Sequence, residues 1–115
     1  MANIIYAEVK EYTYCLWTQE TSEWGEAKVR GKLNCFGDSF MLLLLFVEDD
    51  SPVPAAKVHH WKHSKKKIDL YIPFSKMHCF VDLLRNEKHV FAHIDVDHPE
   101  LTHLTTDLEH LRGEG

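Results

Sequence analysis

Glu26-Ala27-Lys28-Val29-Arg30-Gly31-Lys32-Leu33-Asn34-Cys35-Phe36 alternates along its whole length. Ala27, Val29, Gly31, Leu33 and Cys35 fall on one side, and Glu26, Lys28, Arg30, Lys32 and Asn34 on the other. Successive side chains of a strand point to opposite faces, so a period of two predicts a strand with one buried and one wet face. Gly37-Asp38 then fits a two-residue hairpin turn with glycine supplying a positive φ. Phe40 to Val47 follows as an unbroken apolar run, which suits a central strand covered on both faces or a face that meets a second subunit.

Working outward, Ile4 to Trp17 is rich in β-branched and aromatic residues and predicts another strand. Its alternation slips, since Ile5, Ala7 and Val9 share one face while Tyr12, Tyr14 and Leu16 share the other. A bulge or bend near Lys10–Glu11 would reconcile the two halves. On the far side, Glu48 to Pro54 is an acidic, proline-bearing break. A strand over 56–63 and a lysine-rich turn over 64–67 follow, then Ile68, Leu70, Ile72 and Phe74 mark a strand ended by Pro73.

The period then changes. Met77, Phe80, Val81 and Leu84 sit at helical spacing, and with Ser75 as N-cap and Asn86 as terminator they predict a helix over about 75–86. Val90, Ala92, Ile94 and Val96 return to a period of two. If the strands flanking the helix were parallel neighbours in one sheet, the crossover would be right-handed. Residues 99–115 lose periodicity and read as an irregular tail.

The expected fold class is therefore α+β. It is a mostly antiparallel sheet of about six strands, able to curl into a half-barrel, with one helix between the last two strands. A length of 115 residues fits a single domain spanning 1–115, with 44% apolar and 27% charged residues. The strongest apolar run, Met41 to Val47, is far below the ~20 residues of a membrane-spanning helix. The N-terminus carries no basic, apolar leader, and Cys15, Cys35 and Cys79 are too widely spaced for a CxxC motif. These features predict a cytoplasmic protein with reduced thiols and no membrane contact.

Chemistry-bearing residues concentrate late in the chain. All nine histidines follow the midpoint, and charging them together would carry the formal charge from −5 to +4, a swing able to alter self-association. The densest set of ligand types is His93-Ile94-Asp95-Val96-Asp97-His98. On a strand, His93, Asp95 and Asp97 share the face opposite Ala92, Ile94 and Val96, with His98 arriving from the turn. Imidazole with carboxylate suits a divalent metal such as zinc, and the same four residues are equally what the solvent face of any half-buried strand presents. The run resembles the His-x-His-x-Asp-His motif of the metallo-β-lactamase fold over six residues. Asp95 stands where that motif has its middle histidine, and the chain is short for that four-layer fold, so membership does not follow.

Other constellations are weaker. His59, Trp61 and His63 share a strand face, suited to stacking on a sugar or base, to metal ligation with His59 and His63, or simply to core-edge packing. Lys62 and Lys65 to Lys67 could hold phosphate, but the formal charge of −5 argues against nucleic acid as a partner. His78 and Cys79 are neighbours on a helix, where adjacent side chains diverge by about 100°, so Cys79 reads as packing rather than a nucleophile. Glu48-Asp49-Asp50 reads as a solvated turn. No GxSxG, GxGxxG or Walker loop is present. The sequence thus predicts a small binding or protein-interaction module, with a protein partner or a homodimer. The alternative is a metal-dependent, hydrolytic protein using His93, Asp95, Asp97 and His98.

Overall fold

A computed structural model of the chain describes residues 4–21, 28–50, 52–60 and 65–106. The described residues form eight strands in two sheets and one α-helix, a mixed α+β architecture. The five-stranded sheet runs β2(Glu11–Thr21)-β3(Val29–Phe36)-β4(Phe40–Val47)-β6(Lys66–Pro73)-β5(Lys57–His60). The three-stranded sheet runs β1(Ile4–Glu8)-β7(Phe91–Asp95)-β8(His103–Thr105). Pairing is antiparallel except between β4 and β6, and the sheets do not close into a barrel.

The slip in the first strand is where the chain changes sheet. The Val9 N–H donates to the Val90 carbonyl at 2.8 Å, and the Lys10 N–H donates to the Phe36 carbonyl at 2.7 Å. Consecutive amides thus tie β1 towards β7 and β2 towards β3. Ile5, Ala7 and Val9 can then pack on the same core as Tyr12, although sequence parity puts them on opposite faces.

Alternation in β3 is realised: Val29, Gly31, Leu33 and Cys35 are buried and the residues between them only partly so. Val29 pairs with Val47 and Gly31 with Phe46, so Arg30 is an extra residue on this strand. That bulge turns Val29 to the side of Leu43, Leu45 and Val47, while Leu33 and Cys35 face Leu42, Leu44 and Phe46. The following turn differs from expectation. It spans residues 37–39, and Gly37 is not in the left-handed region. Glycine is needed there for space, because a Cβ would lie 2.2 Å from the Phe40 ring.

Strand β4 is central, and every residue from Leu42 to Val47 is buried within the chain. Its apolar run therefore finds cover on both faces without a second subunit. Lys66 and Lys67, expected in a turn, begin β6 and pair with Phe40 and Met41. Residues 61–64, with Trp61 and His63, and residues 22–27 lie outside the described set.

A 3-10 turn over Phe74–Lys76 leads into α1(Met77–Asn86), which ends at Asn86 as expected. Ser75 is not the N-cap. Its backbone N–H instead donates to Asp49 Oδ1 at 2.9 Å, so the acidic turn supplies an anion to the start of the helical segment. Met77 and Leu84 are buried, and Phe80 packs on Phe46 with ring centroids 5.8 Å apart. The helix lies between β6 and β7, which belong to different sheets, so the parallel crossover does not arise there. Residues 103–105 form β8, a strand inside the stretch that shows no periodicity.

Candidate functional site

Strand β7 carries the predicted metal set only as far as Asp95. Asp95 Oδ1 accepts the backbone N–H of Asp97 at 3.1 Å and of His98 at 3.0 Å. The Asp95 N–H donates to the hydroxyl of buried Thr102 at 3.3 Å. Asp95 is thus a turn-capping side chain, the ordinary use of aspartate at a strand end. Asp97 and His98 are exposed on the turn, and His98 Nδ1 lies 3.8 Å from Glu100 Oε2. Among the described residues no three His, Cys, Asp or Glu group closely enough to hold an ion. The fourth member, His93, shares a strand face with Asp95 but has other ring neighbours. It stands between Tyr6 and His103 across three strands, with ring centroids 5.3 Å and 4.7 Å away.

Two further histidines, His89 and His59, pair with carboxylates. His89 Nδ1 is 2.8 Å from Glu8 Oε2, and this hydrogen bond is the main cause holding the Glu8 carboxyl below its ordinary range. His59 Nε2 donates to Asp69 Oδ2 at 3.0 Å across β5 and β6. Asp69 is buried on the face that carries Leu43 and Tyr71, and its Oδ1 has no hydrogen-bond partner among the described residues. Burial, reinforced by the Asp69 charge, pushes the Tyr71 hydroxyl up. Sequence reasoning passed over Asp69; a lone acid inside an apolar strand was the signal. It also misplaced Cys79, which is exposed, with Sγ 3.6 Å from His78 Nε2. The imidazole reaches back to its neighbour although the two Cβ atoms diverge.

A cleft of about 420 Å³ lies between β2 and α1. Tyr14 and Leu16 form one wall, and Phe74, Met77 and Val81 lie along the other, with Ser75 at its end. His78, Asp82 and Arg85, spaced so that they share a helix face, supply a rim of both charges. Tyr12, Tyr14 and Leu16 share a face as the alternation predicts, but only Tyr12 reaches the core. Tyr14 stacks on it at 6.5 Å and stays 52% exposed, and Leu16 is 61% exposed. Among the described residues β2 is terminal in its sheet, its backbone pairing with β3 on one side only. Arg30, the bulge residue, stands against the lining residue Phe74: its guanidinium lies 4.9 Å above that ring and 3.0 Å from Glu48 Oε1.

No helix among the described residues is long and apolar enough to cross a membrane. Comparison with family models, with curated proteins and with solved structures found no match to this chain.

Proposed function

We propose that this protein is a binding module that captures an extended segment of a partner protein along β2. The observation that carries this proposal is the exposure of Tyr14 and Leu16 on a terminal strand beside an apolar cleft. A sheet edge offers unpaired N–H and C=O groups that a peptide can extend as a further strand. Side chains of an added strand alternate in direction, so every second residue would enter the space lined by Leu16, Met77 and Val81. The cleft volume is within the range of small-ligand and side-chain pockets. Asp82 and Arg85 at the rim favour a segment whose apolar residues are flanked by charge of either sign.

The metal-dependent alternative at residues 93–98 draws no support from this geometry, because the Asp95 carboxylate already caps its own turn. The test is selection of binders from a random-peptide display library, followed by fluorescence polarisation with the purified chain. Selected peptides should alternate apolar residues, and Leu16→Glu should weaken them by about tenfold or more, a loss typical of an interface anchor. Peptides that bind Leu16→Glu and Val81→Asp as tightly as the parent protein would refute the site. Concentration-dependent dimers that Leu16→Glu abolishes would replace the partner segment with a second copy of the chain.

A further inference from the structure

We propose that His93 and His103 form a two-imidazole chelate for a divalent transition-metal ion, zinc or copper by the chemistry of the donors. The proposal is independent of peptide capture at β2. The two residues are directly opposed in the antiparallel pairing of β7 with β8. Opposed side chains leave the sheet side by side, from Cβ atoms roughly 5 Å apart. His93 Nδ1 and His103 Nε2 are 3.4 Å apart. Two nitrogens each ~2.0–2.1 Å from a tetrahedral zinc ion are separated by roughly 3.3–3.4 Å. The bite of the pair already matches that of a tetrahedral site.

The second nitrogen of His103 settles its tautomer. Nδ1 lies 3.0 Å from the Leu101 carbonyl, to which only an N–H can donate, so in the neutral imidazole the Nε2 lone pair faces His93. A ligand histidine whose remote N–H is held by a backbone carbonyl is the common arrangement around protein-bound metals. His93 Nδ1 donates its proton to that lone pair in the absence of metal. Metal binding selects the other neutral tautomer of His93, with the proton on its second ring nitrogen, so that both inward nitrogens are donors to the ion. The neutral pair neither gains nor loses a proton overall.

Hydrogen bonds and packing hold the turn that presents His103. Leu101 lies in the 3-10 turn Pro99–Leu101, whose Leu101 N–H donates to the His98 carbonyl at 2.9 Å. Thr102, next in the chain, is buried, and its hydroxyl accepts the Asp95 N–H. The Tyr6 ring packs against the other side of His93 at 5.3 Å. The sequence-predicted ligands Asp95 and His98 therefore shape the turn that presents His103, and His93 alone carries over to the chelate. His103 is exposed, so water completes the coordination shell.

The experiment titrates untagged, chelator-treated full chain with zinc chloride, followed by calorimetry and by nitrogen-resolved NMR of the imidazoles. One ion should bind per chain, with the largest shifts at His93 Nδ1 and His103 Nε2. His103→Gln and His93→Gln should each lower affinity by about tenfold or more, and the double variant little further, because one remaining imidazole is no chelate. His98→Gln should bind as the parent protein does. Shifts centred on other histidines, or unchanged affinity in His103→Gln, would overturn the proposal. The NMR assignment is made on the unaltered chain, so it decides even if a variant loses β8.

Discussion

His59 Nε2 and Asp69 Oδ2 lie 3.0 Å apart across β5 and β6, and they share this bond unequally: His59 is about half exposed while Asp69 is buried. A buried carboxylate carries a desolvation cost, set here against one hydrogen bond and a lysine at 3.9 Å, and replacing such buried pairs by apolar residues is often neutral or stabilising. Asp69→Leu should therefore be neutral or stabilise the fold by about 1 kcal/mol, since Leu43 and Tyr71 lie on the same face. His59→Ala should instead cost about 1 kcal/mol, because it removes the hydrogen-bond donor that Asp69 has among the described residues. Urea unfolding of the two variants checks the asymmetry, and a larger loss from Asp69→Leu than from His59→Ala would show that the bond outweighs the desolvation.

Gly31 couples the sheet to the helix. A Cβ at this position would lie 2.5 Å from Met77 Sδ and 3.3 Å from the Cys15 carbonyl. Gly31→Ala should cost about 1–3 kcal/mol, as overpacked cores do. Met77 also lines the cleft, so the same substitution should weaken peptides bound along β2. In a Met77→Ala background the cost of Gly31→Ala should shrink, because the soft sulfur contact has gone and the carbonyl contact alone remains. Additive losses in the thermodynamic cycle would mean that Met77 moves aside without strain.

These contacts also show where sequence stops being informative. The period of two in β3 exposes Gly31 as an inward residue, and the spacing of Met77, Phe80, Val81 and Leu84 marks the helix face. Neither pattern says that the two surfaces meet, because that follows from strand order. The parallel pairing of β4 with β6 and the separation of β1, β7 and β8 into a second sheet are long-range outcomes that no local period encodes. Arg30 is a bulge inside perfect alternation, invisible until its partner strand is known. Asp95 was legible as chemistry but ambiguous as role, since a carboxylate at a strand end serves a metal or a turn with the same residue type. His103 was lost because a three-residue strand is too short to show a period.

The three thiols should differ sharply in reactivity. Burial pushes the Cys35 thiol up to about 12, whereas Cys79 is exposed beside the His78 imidazole and Cys15 is half-buried. The thiolate is the reacting form, so alkylation should label Cys79 first, then Cys15, and Cys35 only on unfolding. Peptide mapping after timed iodoacetamide treatment gives the order directly. Early labelling of Cys35 in the folded protein would contradict its place in the core.

Glu8 gives a pH dependence of defined sign. The His89 hydrogen bond is the largest cause lowering its carboxyl below the ordinary 4.5, aided by the Lys10 and His89 charges and opposed by desolvation. A carboxylate whose pKa is lower in the folded state binds fewer protons there than in the unfolded chain. Its stabilising effect is therefore fully present above the unfolded pKa and disappears as pH falls through the folded one. Glu8→Gln should be less stable than the parent protein near pH 6, and the two should converge in acid below the lowered Glu8 value. The contact also ties the end of β1 to the residue before Val90, whose carbonyl holds the sheet switch at Val9. Hydrogen exchange at the Val9 amide should consequently quicken in Glu8→Gln at pH 6 but not in acid. A stability difference that stays constant across this range would assign the loss to packing of the Glu8 side chain instead of its charge.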